Sequence, residues 1–569
     1  MKTYKFLTIV LITLICLFFW NNIKQSTAQN IKTMPSLLTD PFLQLPTETS
    51  INVVWFTEFF GDKHGVLYGN KLEKKATATT TKLTRVREDE KSNLEPKYEK
   101  LTSRDIWRHE AKITDLDSKK IPYQVFSVKE GTTVYSKQFT LTSKPQPNTS
   151  LKILLTSDHQ LMPMTAANMQ KVVETIGKVD GVFFAGDLVN FPDRASEWFD
   201  SNKGNAFFKN LQGKANYKLE KNGTTTTYNG GAIIQYAPLF TALGNHEVMG
   251  RYSTEKPINR QFYDAVPRSN IKTVEQDIKT IKNNSFNTDT YEEIFTLPQS
   301  KSGEEKYYGV TFGDVRLVVL YVTSIWRFPE LNNELPSRYQ EQPSDFNHPE
   351  KWGYGQHIFE PIVKGSQQYQ WLESELQSDE FKQAKYKIVM FHHPPHTLGG
   401  NIVPPYTNPR QNIQRDDNNN IQAITYDYPQ EDDYIIRDLI PLLETAGVQL
   451  IYYGHSHLWN RFQSPSMMHF LESSNVGNSY GAHTAENPRQ VPENSNYIAV
   501  GNPNGLKPIT PNINPLKDET GKPIPYIASN DISVFSILDT EKGTVSSYRF
   551  DTGEPNSQVI KFDEFSLLN

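Results

Sequence analysis

Five short apolar runs, spread over about 300 residues, each end in side chains that bind metal ions. Lys152–Thr156 leads into Ser157-Asp158-His159-Gln160, and Val182–Ala185 into Gly186-Asp187. Leu239–Leu243 leads into Gly244-Asn245-His246-Glu247, Ile388–Phe391 into His392-His393-Pro394-Pro395, and Val448–Tyr453 into Gly454-His455-Ser456-His457. Short runs rich in Val, Ile, Leu and Phe read as buried strands. Helical spacing over Ala166–Val179, Gln367–Gln377 and Tyr434–Ala446 alternates with them, which predicts an α/β domain. In open α/β sheets, ligands bind beyond the carboxyl ends of the strands. Taken alone, each segment says little: Gly-Asp after a strand is most often a turn, and a lone His-x-His is usually structural. Together, each at the end of a strand, they form the donor set of one shared site.

The donor types point to two transition-metal ions, Fe, Zn or Mn, because imidazole suits these ions and a carboxylate can bridge two of them. Two ions roughly 3.5–4 Å apart stabilise both the attacking and the leaving oxygen of an in-line displacement, and lower the pKa of bound water. Phosphate ester hydrolysis needs both effects. Thiolate chemistry is excluded, since the one cysteine, Cys16, lies in the leading segment.

That leading segment, residues 1–28, reads as an export signal. Lys2 and Lys5 precede an apolar run from Phe6 to Trp20, and Ser26-Thr27-Ala28 offers a cleavage site after Ala28. The run is short for spanning a bilayer, although an uncleaved anchor is the alternative. Cleavage would remove three lysines (Lys2, Lys5, Lys24) and no acid, so the −5 of the whole chain becomes −8. No later segment approaches a membrane span. A net negative chain is also a poor binder of nucleic acid by bulk phosphate neutralisation.

A length of 569 residues calls for more than one core. Residues 33–147 carry short β-rich runs at Ser50–Phe56, Gly65–Tyr68, Thr77–Thr84, Trp107–Ile113, Tyr123–Val128 and Ser136–Thr142, which predict a small antiparallel sandwich. Residues 150–569 would form the catalytic domain. Long polar stretches at 193–235, 251–300, 326–366 and 394–430 read as loops, with Asp416–Asn420 at a solvated tip.

The five segments resemble the signature of the calcineurin-like metallophosphoesterases. The preceding domain (Asp40-Pro41, Val53-Val54-Trp55-Phe56, Val66-Leu67-Tyr68-Gly69, His109–Leu116, Tyr123) is similar to the fibronectin-type-III-like domain of plant-type purple acid phosphatases. The resemblance implies an all-β sandwich followed by an α/β/β/α four-layer metallophosphoesterase domain. It implies Asp187 as the bridging carboxylate, with Asn245, His392 and His455 on one metal and Asp158 and His457 on the other. It gives His246 as proton donor to the leaving group after attack by metal-bound hydroxide. His393 would stand behind the ligands or contact the substrate, and Arg461 would bind phosphate, although an ion pair fixing the loop serves Arg461 as well.

The first metal site departs from the pattern. Gln160 stands where most of the superfamily has a ligating His, and Asn190 where purple acid phosphatases have a ligating Tyr. Either amide could supply a neutral oxygen. His159 is a poorer substitute, because adjacent strand residues face opposite sides. The expected activity is hydrolysis of small phosphate monoesters. The alternatives are a phosphodiesterase or nucleotide phosphohydrolase on the same site, and a non-catalytic binding protein with a degenerate site. Gly477-Asn478-Ser479-Tyr480-Gly481 matches a nucleophile elbow, but a poor helix start follows it, so it reads as a loop.

Overall fold

The computed structural model describes residues 34–266, 268, 271, 277–326, 340–349, 352, 356–400, 405–491, 497–554 and 556–568. The segment read as an export signal lies outside them. Among the described residues, no helix is long and apolar enough to cross a membrane.

The N-terminal part is two antiparallel sheets. One is ordered Phe42–Gln44, Ile51–Thr57, Trp107–Ile113, Thr79–Lys82; the other is Thr132–Tyr135, Ile121–Lys129, Lys63–Tyr68, Lys74–Thr77. Their shared core holds Val53, Trp55, Val66, Ile113, Tyr123 and Val125. The single strand expected over Thr77–Thr84 is in fact part of two. The chain breaks at Ala78, pairing Lys74–Thr77 with Lys63–Tyr68 in one sheet and Thr79–Lys82 with Trp107–Ile113 in the other. A strand that changes sheets closes one corner of the sandwich.

Ile51–Thr57 is buried along its whole length. Val53 and Trp55 point into the sandwich, while Val54 and Phe56 point into the core of the second domain. There the Phe56 ring lies 4.9 Å from Phe199 and 5.5 Å from Phe208. A strand apolar on both faces therefore joins the two parts, each buried aromatic contributing about 1.5–3 kcal/mol.

The second part has two facing sheets. The first is ordered Leu239–Thr241, Gly181–Phe184, Lys152–Thr156, Ile532–Asp539, Thr544–Asp551, Ile560–Ser566. The second runs Tyr308–Phe312, Val315–Val319, Tyr386–Met390, Leu450–Tyr453, His469–Ser473, Trp459–Gln463, Tyr526–Ile527. Alternation along the strands sets the layers. Leu317, Ile388, Leu450 and Tyr452 share a core with Ile153, Leu155 and Ile537 of the first sheet. Val318, Val389, Ile451 and Tyr453 face the other way, onto Leu372 and Leu443 of helices Gln367–Leu376 and Ile440–Thr445. Helix Thr165–Ile176 covers the first sheet through Met169 and Val172. This is the four-layer arrangement.

The stretch 193–235, expected as loop, holds helices Ala195–Phe199 and Phe207–Leu211 and the hairpin Tyr217–Lys221/Thr224–Tyr228. That hairpin turns at Asn222-Gly223, both at positive φ (49° and 74°), the backbone a tight two-residue turn requires. Asp416–Asn420 does sit at the exposed tip of the hairpin Arg410–Arg415/Ile421–Asp427.

His109, His159 and His396 are buried and are not among the converging donors. Burial, with His64 and Arg108 nearby, pushes His109 down to about 2. Burial pushes His159 and His396 down to about 3. They are neutral when folded and titrate near 6.5 when unfolded. Their stability is therefore fully present above about pH 6.5 and is lost as pH falls toward the folded values. At pH 5 each costs about 2 kcal/mol. Urea unfolding of metal-free protein should show the gap between wild type and His109→Asn narrowing by about 2 kcal/mol from pH 7.5 to pH 5. An unchanged gap would contradict this.

Candidate metal centre

The carboxyl ends of five strands meet at one edge between the two sheets. Lys152–Thr156, Gly181–Phe184 and Leu239–Thr241 come from the first sheet, and Tyr386–Met390 and Leu450–Tyr453 from the second. Past these ends the backbone turns sharply. Asp158, Asp187, His455 and His457 have φ of 56°, 58°, 82° and 57°. Asp, Asn and His are the non-glycine residues that best tolerate this left-handed region. Such positions still cost of order 1–3 kcal/mol each. Two glycines leave room for the carboxylates. A Cβ on Gly244 would collide with Asp187, and one on Gly454 with Asp158.

Two buried glutamates hold these turns. Glu247 accepts from the N–H groups of Asp187, Leu188 and Gly244 at 2.8, 2.7 and 2.8 Å. Glu472 accepts from Ser456 N–H at 2.8 Å, Thr397 Oγ1 at 2.6 Å and Asn460 Nδ2 at 3.0 Å. Burial pushes both carboxyls up to about 8, with the Asp187 charge adding to the effect at Glu247 and the Asp158 charge at Glu472. Neither glutamate was recognised from the sequence. Glu247 was visible in Asn-His-Glu, but Glu472 has no local signal.

The donor atoms converge closely. His392 Nε2 lies 3.1 Å from Asn245 Oδ1, 3.1 Å from His455 Nδ1 and 3.2 Å from Asp187 Oδ2. His457 Nε2 lies 3.3 Å from Asp158 Oδ1. Ligand atoms of Asp158, Asp187 and His392 all fall within 4.8 Å of one another, as do those of His392, His393 and His455. One imidazole N–H cannot serve three acceptors at once, and two imidazole nitrogens 3.1 Å apart share at most one proton. A cation satisfies all of them together, so the donor set fits the expected ions. Backbone carbonyls fix the rings from behind: Ala185 O lies 2.8 Å from His392 Nδ1, and Asn478 O lies 3.0 Å from His457 Nδ1. Burial disfavours charge on His392, but Asp187 outweighs it and raises the imidazole to about 10.

Of the two amides, Gln160 is the one that reaches Asp187. Its amide Nε2 lies 3.1 Å from Asp187 Oδ2, and its Oε1 accepts from Asn478 Nδ2 at 3.0 Å. Asn478 Oδ1 is buried without a hydrogen-bond partner among the described residues. Half a turn of both amides keeps their mutual hydrogen bond and turns Gln160 Oε1 into the cluster, with Asn478 Nδ2 taking the buried position that has no partner. The Gly477–Gly481 loop, discounted as a nucleophile elbow, thus lines the site. Tyr480 of the same loop stacks on His457, with centroids 5.3 Å apart.

Three of the candidate site residues are engaged elsewhere. The Asn190 side chain donates to Gln160 O at 2.6 Å and stands outside the converging donors; its own carbonyl accepts from His246 Nδ1 at 2.8 Å. Arg461 is buried, with Nε and Nη2 on Asp563 at 2.8 and 3.1 Å. Its fork is committed to joining the two sheets and is not offered to a phosphate. His393 is buried behind His455, with the rings 3.8 Å apart and Nε2 on Ser324 Oγ at 3.0 Å, so it braces a ligand and does not face the mouth. His159 turns away as expected, bonding Thr156 Oγ1 at 2.9 Å with its ring against Phe184. His246 is partly exposed, and its Nε2 lies 4.0 Å from Asp187 Oδ2.

This fold and donor set define a metal-dependent phosphoesterase. Residues 151–458, more than half the chain, match the family model described as Calcineurin-like phosphoesterase, and the chain belongs to that family. A solved structure of the purple acid phosphatase PPD1 from yellow lupin (Lupinus luteus) seeds is similar over 92% of this chain and 74% of that one, at a TM-score of 0.52 and 14% identity. At that identity the likeness shows the fold alone. A solved structure of PhoD covers 95% of this chain and 91% of its own, at a TM-score of 0.43 and 13% identity. No curated protein matches the chain in sequence.

Proposed function

We propose that the chain is an exported phosphomonoesterase of the purple-acid-phosphatase kind, acting on small phosphate esters with two bound metal ions. The observation that carries this reading is the gathering of Asp158, Asp187, Asn245, His392, His455 and His457 around one point, with His246 Nε2 turned toward it. The kinship in fold with a purple acid phosphatase supports the choice of monoesters. The charged and apolar leading residues support export.

When bound, the ions would supply a hydroxide near neutral pH and neutralise charge on the phosphoryl oxygens. Asp187 holds the two ligand groups together. Asn245, His392 and His455 would hold one ion, and Asp158, His457 and Gln160 the other. His246 keeps its Nδ1 proton on the Asn190 carbonyl, so Nε2 is the atom that passes a proton to the leaving oxygen. The test is a panel of phosphate monoesters and diesters run with Mn, Zn and Fe. Faster turnover of diesters than of monoesters would overturn the substrate assignment. No turnover with any metal would favour a binding protein.

A neutral amide in place of an imidazole or a tyrosinate holds a transition ion less firmly. After mild chelation, metal analysis should find one ion lost well before the other. The iron-loaded protein should have no tyrosinate charge-transfer band. Equal retention of both ions, or a purple colour, would contradict the ligand assignment.

A further inference from the structure

The support of His246 reaches out of the catalytic sheets into the N-terminal part of the chain. His246 Nδ1 meets Asn190 O at 2.8 Å, and Asn190 N–H donates to Glu197 Oε2 at 2.7 Å. Glu197 Oε1 accepts from Arg194 Nη1 at 2.9 Å. Arg194 Nη2 then donates to both oxygens of Asp89, at 3.1 and 3.2 Å. The ring face of His246 is held separately, against Phe262 with centroids 5.2 Å apart. Phe262 ends the short helix Ile258–Phe262, and the first N–H of that helix, on Ile258, donates to Asp89 Oδ2 at 2.9 Å.

One buried carboxylate therefore anchors both supports of the ring, the carbonyl on its nitrogen and the aromatic on its face. Asp89 is 2% exposed, and Glu197 and Arg194 are buried with it. Its segment is tied down beside it: Arg87 N–H donates to Asp193 O at 2.8 Å, and Arg87 Nη2 to Asp193 Oδ2 at 2.8 Å. A web of charge-assisted bonds this closed is stiff, and loss of one member leaves the others buried without a partner.

We propose that Asp89 is a positioning residue for the proton donor: through Arg194–Glu197–Asn190 and through the Ile258–Phe262 helix, it fixes the height and tilt of the His246 ring over the site. The N-terminal part would then be a working component of the enzyme as well as a packed appendage. Small misplacements of a proton donor cost rate chiefly where the leaving group needs the proton.

The test uses the full metal-loaded protein and two esters, an alkyl phosphate, whose leaving group needs a proton, and p-nitrophenyl phosphate, whose leaving group does not. Asp89→Asn should lower kcat on the alkyl ester by about tenfold, with its KM and the p-nitrophenyl rate within about twofold. Metal content should be unchanged, and the substitution should have no further effect in a His246→Ala background. Equal losses on both esters, or a further loss on top of His246→Ala, would overturn the proposal. The proposal rests on the reading of His246 as proton donor, and the two failures are separable. If His246→Ala shows no dependence on leaving group, that reading falls and takes this one with it. If His246→Ala behaves as expected while Asp89→Asn matches wild type, only the role of Asp89 falls. Should Asp89→Asn fail to fold, Arg194→Lys, which keeps the charge but loses the fork, is held to the same outcomes.

Discussion

Asp187→Asn is expected to lower turnover of every phosphate ester by about 10³–10⁴-fold, and to reduce bound metal from two ions per chain to one or none. The magnitude follows from the several kcal/mol of charge stabilisation that metal ions supply, at about 1.36 kcal/mol per tenfold in rate. The two oxygens of Asp187 have different tasks. Oδ1 accepts the His246 backbone N–H at 2.9 Å, while Oδ2 faces His392 at 3.2 Å and Gln160 at 3.1 Å. Oδ2 is thus the atom between the two ligand groups, and a neutral amide there would hold a metal ion far less firmly than the carboxylate. Asparagine is the informative replacement because φ is 58° at this position. Asn tolerates that conformation, whereas Ala would add backbone strain to the loss of the ligand. Metal analysis beside kcat/KM decides the matter. Two ions retained, with activity within tenfold of wild type, would remove Asp187 from the bridge.

His246→Ala is expected to lower kcat on alkyl phosphates by about 10²–10⁴-fold, the usual contribution of a positioned proton donor, and to spare p-nitrophenyl phosphate. Because Nδ1 stays on the Asn190 carbonyl, Nε2 can donate only from the imidazolium. Metal content should be unchanged, since the ring nitrogen nearest the cluster is 4.0 Å from Asp187 Oδ2. An equal loss on both esters would assign His246 to substrate binding or folding.

Much of the site could be read in advance, for a physical reason. A strand with both faces buried must be apolar throughout, so the polar residue that ends it is conspicuous, and Asp158, Asp187, Asn245, His392 and His455 all stand at such ends. The doubtful positions were those where one residue type has several uses. Arg461 offers a phosphate-binding fork in sequence, but its partner Asp563 lies 102 residues away on the opposite sheet. Asn190 and Gln160 were equivalent amides until the fold turned one to a backbone carbonyl and the other to Asp187. The strand break at Ala78 and the Asn222-Gly223 hairpin were hidden in stretches that read as continuous strand or as loop.

Local patterns of apolar and polar residues determined the two-part architecture, the strands and the chemical character of the site, because burial acts on each segment through its own periodicity. Only the tertiary structure decided which donors converge, that Glu247 and Glu472 clamp the ligand turns, and that Asp89 braces His246 from the other part of the chain. Those are pairings between residues far apart in sequence. Hydrogen bonds and ion pairs of this kind are selected by distance and direction in space, and they leave no period along the chain.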